Sequence, residues 1–148
     1  MKLIPENASA AIIKDEYYNF LFQKRDSNRQ IFFPNHVGLF GGAKNHNESY
    51  IQALKRELNE EIGFSPKKIK FFMNLKFDLK KNSKKQVNRF FYICSIKDLY
   101  KQKIILKEGK SFLIMSIKKL KLELNKKNNF VPYDQFAIWY YINKNIIS

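Results

Sequence analysis

The segment Asn47–Phe64, NESYIQALKRELNEEIGF, constrains the fold more than any other part of the chain. Ile51, Leu54, Leu58 and Ile62 recur at helical spacing and form one apolar stripe. Ser49 with Gln52 three residues later has the pattern of a capping box, and Gly63 supplies a C′ stop. A helix with one apolar stripe needs an apolar surface to lie on. The rest of the chain offers short runs of strand length: residues 8–14 and 19–25 around the turn Asp15–Tyr18, then Val37–Phe40 leading into Gly41-Gly42. Further along, Ile69–Leu79 and Val87–Ile96 read as strands separated by the lysine-rich turn Lys80–Lys85, with shorter strands expected at Lys103–Leu106 and Phe112–Ile117. Tyr133–Asn143 reads as a closing helix entered through Pro132. This mixture predicts an α/β sandwich, and 148 residues suffice for one domain over 1–148.

The other side of the first helix carries the chemistry. Only eight glutamates occur in the chain, yet Glu48, Glu57, Glu60 and Glu61 fall within fourteen residues of one another. Glu57, Glu60 and Glu61 stand at i, i+3 and i+4, so their carboxylates share a helix side. Like charges at that spacing destabilise a helix, and a chain with 28 basic against 13 acidic residues had lysine to spare. Taken alone, ExxEE reads first as a solvated acidic face. Three converging hard oxygens also suit Mg²⁺ or Mn²⁺ shared with substrate phosphates.

The wider frame is G-x5-E-x7-R-E-L-x-E-E-x-G-F: Gly42, Glu48, Arg56, Glu57, Leu58, Glu60, Glu61, Gly63 and Phe64. It matches the Nudix box at every defined position, so the chain resembles the Nudix hydrolase family. The resemblance implies an α/β/α sandwich with a mixed central sheet. It also implies hydrolysis of a nucleoside diphosphate linked to another moiety, with divalent metal neutralising the charge that develops. By the same resemblance Glu60 and Glu61 are metal ligands, joined by the backbone carbonyl of Gly42. Glu57 is a further ligand or the base that activates water, while Glu48, Arg56 and Gly63 hold the motif in shape. The Leu106-Lys107-Glu108-Gly109 segment resembles the one that brings a late glutamate to the metals of MutT-type enzymes. Glu108 is thus a further metal or catalytic candidate, with an ordinary turn glutamate as the alternative. Asp134 stands where those enzymes read the base, and reads equally as an N-cap. Arg25 stands where several members place a substrate-binding arginine, though it reads more simply as a surface strand end. Phe40 in place of the usual Pro, and Val37 in place of an aromatic, depart from the family near the base pocket.

The formal charge of +15 favours an anionic partner. The primary expectation is a small nucleotide, a nucleoside triphosphate ahead of a nucleotide sugar. RNA 5′ ends are a second reading, and a non-catalytic nucleotide- or nucleic-acid-binding module a third. Much of the lysine excess also fits codon bias, since 24 of the 28 bases are Lys. No apolar run has the length of a membrane span, and MKLIPENASA lacks the h-region of a signal peptide, which suggests a cytoplasmic protein. A homodimer is compatible with these features. Cys94 reads as a small buried hydrophobe, and His36 and His46 as loop residues without metal-ligand spacing.

Overall fold

The computed structural model describes residues 5–27, 31–63, 65–79, 85–107 and 111–145. Its centre is a seven-stranded sheet whose main path runs β3-β2-β1-β6-β5. In chain order the strands are β1 (Ala8–Lys14), β2 (Asn19–Lys24), β3 (Val37–Gly38), β4 (Phe40–Ala43), β5 (Lys68–Leu79), β6 (Lys85–Ser95) and β7 (Ser111–Ser116). β1 and β6 pair in parallel over Ala8–Lys14 and Arg89–Ser95, whereas the other ladders are antiparallel. The sheet is therefore mixed, as expected.

The alternation of side chains along the central strands explains the layers. Ala10 and Ile12 of β1, Phe20 and Phe22 of β2, and Phe91 and Ile93 of β6 point to one face. There they meet Leu120 of helix α2 (Ile117–Leu124) and Ala137, Ile138, Tyr141 and Ile142 of helix α3 (Pro132–Asn145). The intervening residues Ala11, Ile13, Leu21, Tyr92 and Cys94 point to the other face, under Leu54, Leu58 and Ile62 of helix α1 (Tyr50–Ile62). Strands covered on both faces read as unbroken apolar runs, which is how β1 and β2 look in the sequence. Cys94 is fully buried, and burial pushes its thiol up to about 12, the behaviour of an inert core residue.

The β1–β2 turn is organised by Asp15, a fully buried carboxylate. Its oxygens accept from the amides of Tyr17, Asn19 and Leu99 and from the Asn19 side chain. Burial alone would raise its pKa, but these bonds outweigh it and hold the group below its ordinary value.

Three details of the expected layout change. Residues 103–106 form no strand; instead the amides of Ile105 and Lys107 donate to the Ile62 and Glu61 carbonyls, satisfying acceptors that the end of α1 leaves open. The run at 37–40 divides into β3 and β4, which pair with different strands, β2 and β1. Finally, the polypeptide enters α2 at Ile117, capped by the Ser116 side chain, which accepts from the Lys119 amide. The turn residues Lys80–Lys84 lie outside the described residues.

Candidate active site

Helix α1 begins and ends where its sequence says it should. Ser49 accepts from the Gln52 amide at 3.2 Å, and the Gln52 side chain accepts from the Ser49 amide at 2.8 Å, closing a capping box. Gly63 ends the helix in the left-handed region at φ 72°. With the apolar stripe seated on the sheet, the acidic side turns towards the glycines of β4.

The approach there is close. The Gly41 amide donates to Glu61 Oε1 at 3.0 Å, and Glu61 is only 8% exposed. Gly41 lies at φ 146°, and a Cβ on it would collide with the Ser9 carbonyl of β1. Gly42 is open for a different reason. A Cβ there would lie 2.5 Å from Glu57 Cδ and 2.6 and 2.7 Å from its oxygens, so the Glu57 carboxylate occupies the space a side chain would take.

Arg56 ties the acidic groups together. Its Nε and Nη2 donate to Glu48 at 3.1 and 2.6 Å, and Nη2 also donates to the Ala43 carbonyl at 2.9 Å. Nη1 donates to Glu57 at 3.0 Å and to Glu60 at 3.3 Å. Glu48 in turn accepts from the Asn45 amide at 2.7 Å. The Arg56 guanidinium, helped by that amide, lowers the Glu48 carboxyl to about 2, and Glu48 raises the pKa of Arg56 in return. Glu48 and Arg56 thus clamp the 43–48 loop to α1.

Glu57 and Glu61 flank the Gly41-Gly42 backbone, while the Glu60 side chain is 57% exposed and turned to Arg56. Among the described residues no three His, Cys, Asp or Glu side chains are gathered closely enough to hold a metal ion. The donor chemistry nevertheless fits a hard divalent cation: carboxylate oxygens sit beside a backbone left bare at Gly42. Glu108 and Phe64 lie outside the described residues.

A cavity of about 570 Å³ opens from this acidic end. Gly42 and Glu61 line one part, and Arg25, Arg89, Phe77 and Tyr133 line others. Arg25 reaches it from just beyond β2, with Nε donating to the Phe32 carbonyl at 2.8 Å. Asp134 does not stand at the N-cap, for α3 already starts at Pro132. It is 2% exposed, and both oxygens are engaged inside the protein. Oδ1 accepts from Arg89 Nε and Nη2 at 3.1 and 2.9 Å, and Oδ2 accepts from the Leu39 amide at 3.1 Å. Its visible work is to hold Arg89 on the cavity wall, where the guanidinium lies 4.6 Å from the centre of the Tyr133 ring. The sequence motif points to neither Arg89 nor Tyr133. A signal exists, since Arg89 is one of only four arginines and directly abuts the apolar run Phe90–Cys94.

The motif geometry finds its counterpart in a family model, described as NUDIX domain, that matches residues 5–136. The chain belongs to the Nudix family. It is a Nudix hydrolase, and members of this family act on nucleoside diphosphates linked to another group, generally with divalent metal ions. No protein of curated function matches the sequence. Solved structures share the Nudix fold. A MutT from Methanosarcina mazei Go1 superposes with a TM-score of 0.73 at 19% identity, covering 99% of this chain and 100% of that one. A MutT structure from work on Aliivibrio salmonicida and Vibrio cholerae gives 0.67 at 22% identity, over 93% and 99%. The Escherichia coli dihydroneopterin triphosphate pyrophosphohydrolase gives 0.70 at 11% identity, over 95% and 99%. No helix among the described residues is long and apolar enough to cross a membrane.

Proposed function

We propose that this Nudix hydrolase is a Mg²⁺-dependent pyrophosphohydrolase of small nucleotides, with nucleoside triphosphates ahead of nucleotide sugars. The observation that carries the reading is a continuous cavity that joins the Gly42–Glu61 end to Arg25, Arg89 and an aromatic wall. Its volume of about 570 Å³ suits one nucleotide. Glu57, Glu60, Glu61 and the Gly42 carbonyl would hold the metal, with Glu108 as the late glutamate. When bound, the metal supplies charge neutralisation at the phosphates and lowers the pKa of a coordinated water.

The chain's own groups do the rest. Arg25 and Arg89 provide fixed positive charge for an anionic substrate, and Asp134 keeps Arg89 oriented before the substrate arrives. Arg56 holds Glu57 and Glu60 on one side of α1, which limits the reorganisation needed at the moment of reaction. Glu57 stands beside the Gly42 backbone, and where it is not a metal ligand it would be the base that takes a proton from the attacking water.

The test is incubation with Mg²⁺ and a panel of nucleoside triphosphates, nucleotide sugars, dinucleoside polyphosphates and 5′-triphosphate RNA, with products separated by chromatography. Hydrolysis of one small-nucleotide class is expected, and exclusive turnover of the RNA would replace this reading with the RNA 5′-end one. Glu60→Gln and Glu61→Gln should each lower kcat by two or more orders of magnitude at saturating Mg²⁺ while leaving the thermal transition in place. In Glu61→Gln the amide oxygen can still accept from the Gly41 amide. Wild-type kcat in either variant would refute the assignment.

A further inference from the structure

Gln23 is a polar group of the cavity wall that the hydrolytic reading does not use. Gln23, on β2, is 3% exposed and lines the cavity with Leu39. Its side-chain Nε2 donates to the Leu39 carbonyl at 2.8 Å, while Oε1 is buried and has no hydrogen-bond partner among the described residues. The first contact fixes the second. Rotating the amide by half a turn would set its oxygen against the Leu39 carbonyl oxygen, so Gln23 is locked as an acceptor on its remaining side.

A buried acceptor without a donor is costly, and a β-strand position covered on both faces is where an apolar residue would normally stand. Phe22, the preceding residue on the same strand, follows that rule. The surroundings indicate what the acceptor awaits. Phe33, Phe77 and Tyr133 line the same cavity, with Phe33 and Phe77 both packed edge-on to Tyr133 at 5.8 and 6.0 Å between ring centres. Flat aromatic walls suit a planar heterocycle, and the phosphate-directed groups Gly42 and Glu61 belong to the same space.

We propose that Gln23 is the specificity residue of this site, its Oε1 accepting a hydrogen bond from an exocyclic amino group of the substrate's base. The inference rests on the nucleotide-hydrolase reading and sharpens it: the favoured substrates carry an amino-bearing base. A site that buries an unmet acceptor rejects an analogue lacking the donor more strongly than a greasy pocket rejects a missing methylene.

Three substrate pairs differ only by that amino group: ATP and purine riboside triphosphate, GTP and inosine triphosphate, CTP and 2-pyrimidinone riboside triphosphate. For the pair whose base the cavity takes, kcat/KM with Mg²⁺ should fall roughly 10-fold or more on loss of the amino group. Gln23→Met should bring the two members within about threefold, chiefly by lowering turnover of the amino-bearing one. Calorimetric titration of the corresponding monophosphates in EDTA repeats the comparison as binding, without turnover, and the same preference is expected there. If all three pairs are equivalent in the unaltered protein, by hydrolysis and by binding, the proposal is overturned whether or not the variant folds. It is equally overturned if Gln23→Met changes the thermal transition and leaves base preference intact, the result expected of an oxygen that only houses a trapped water. Hydrolysis without discrimination would leave the hydrolase reading standing. Discrimination in binding without hydrolysis of any nucleotide would remove that reading and keep Gln23 as the base reader.

Discussion

Two adjacent glycines should respond to the same substitution in opposite ways. In Gly42→Ala the new methyl group would sit 2.5 Å from Glu57 Cδ, whereas ordinary contact begins near 3.4 Å. The carboxylate must retreat by about 0.9 Å, and on the role proposed for Glu57 a displacement of that scale costs on the order of 100-fold in rate. Stability should barely notice. Gly42 is not in the left-handed region, and the contact most at risk is the Glu57–Arg56 pair at 3.0 Å. That pair is partly solvated, and pairs of this kind contribute roughly 0–1 kcal/mol. Arg56 also keeps Glu48 and the Ala43 carbonyl. The thermal midpoint should therefore move by no more than about 4 °C. Gly41→Ala should do the reverse. At φ 146° with the Ser9 carbonyl in the way, an added Cβ carries both backbone strain and overpacking, each of about 1–3 kcal/mol. The assay is a thermal melt of both variants beside steady-state kinetics at saturating Mg²⁺, on the nucleotide turned over fastest. Gly42→Ala with unchanged kcat/KM, or destabilised as much as Gly41→Ala, would refute the reasoning.

Acid sensitivity should follow Glu48 and Glu123. Each has its carboxyl lowered from an ordinary 4.5 to about 2, Glu48 by Arg56 and Glu123 by Lys119 and Lys126. A depressed carboxyl stabilises the fold above its unfolded pKa and loses that contribution as pH falls through the folded one. Denaturant midpoints should thus drop between pH 4.5 and 2, less steeply in Glu48→Gln, and an unchanged slope in that variant would contradict the assignment. Asp134→Ala should leave Arg89 unpaired beside the Tyr133 ring and the Leu39 amide without its acceptor. Arg89 keeps partial solvent contact, so the cost should lie near the lower end of the roughly 3–5 kcal/mol of a buried pair, a fall in thermal midpoint on the order of 10 °C. A melt within 2 °C of the parent would show, by the same scale, that the pair holds nothing together.

What could be read in advance was what short stretches of chain decide for themselves. The limits of α1 lay in Ser49, Gln52 and Gly63, and its two stripes in a repeat of three and four residues. Helix α2 is hard to read although Ile117, Leu120 and Leu124 keep helical spacing, because a strand running straight into it hides the change of period. Residues 103–106 looked like a strand on composition alone. Their amides are claimed by the end of α1 rather than by a neighbouring strand, a partnership that residue preference does not encode. The cavity was the least legible part. Gln23, Arg89 and Tyr133 come from β2, β6 and α3, and only the sheet order brings them together. Asp134 was noticed in the sequence, but the partner that explains its burial lies 45 residues away.

One consequence follows from the two stripes of α1. Leu54, Leu58 and Ile62 are fully buried against the sheet, while Glu57 and Glu61 rise from the same turns towards the Gly41-Gly42 backbone. The hydrophobic layer therefore works as a mechanical datum for the carboxylates, fixing their height and rotation as a rigid comb. A trimmed leucine beneath the helix would let the comb settle or roll, so conservative repacking there is a fine adjustment of the acid groups from the far side. Among such variants, activity should track helix position before it tracks the identity of anything that touches substrate.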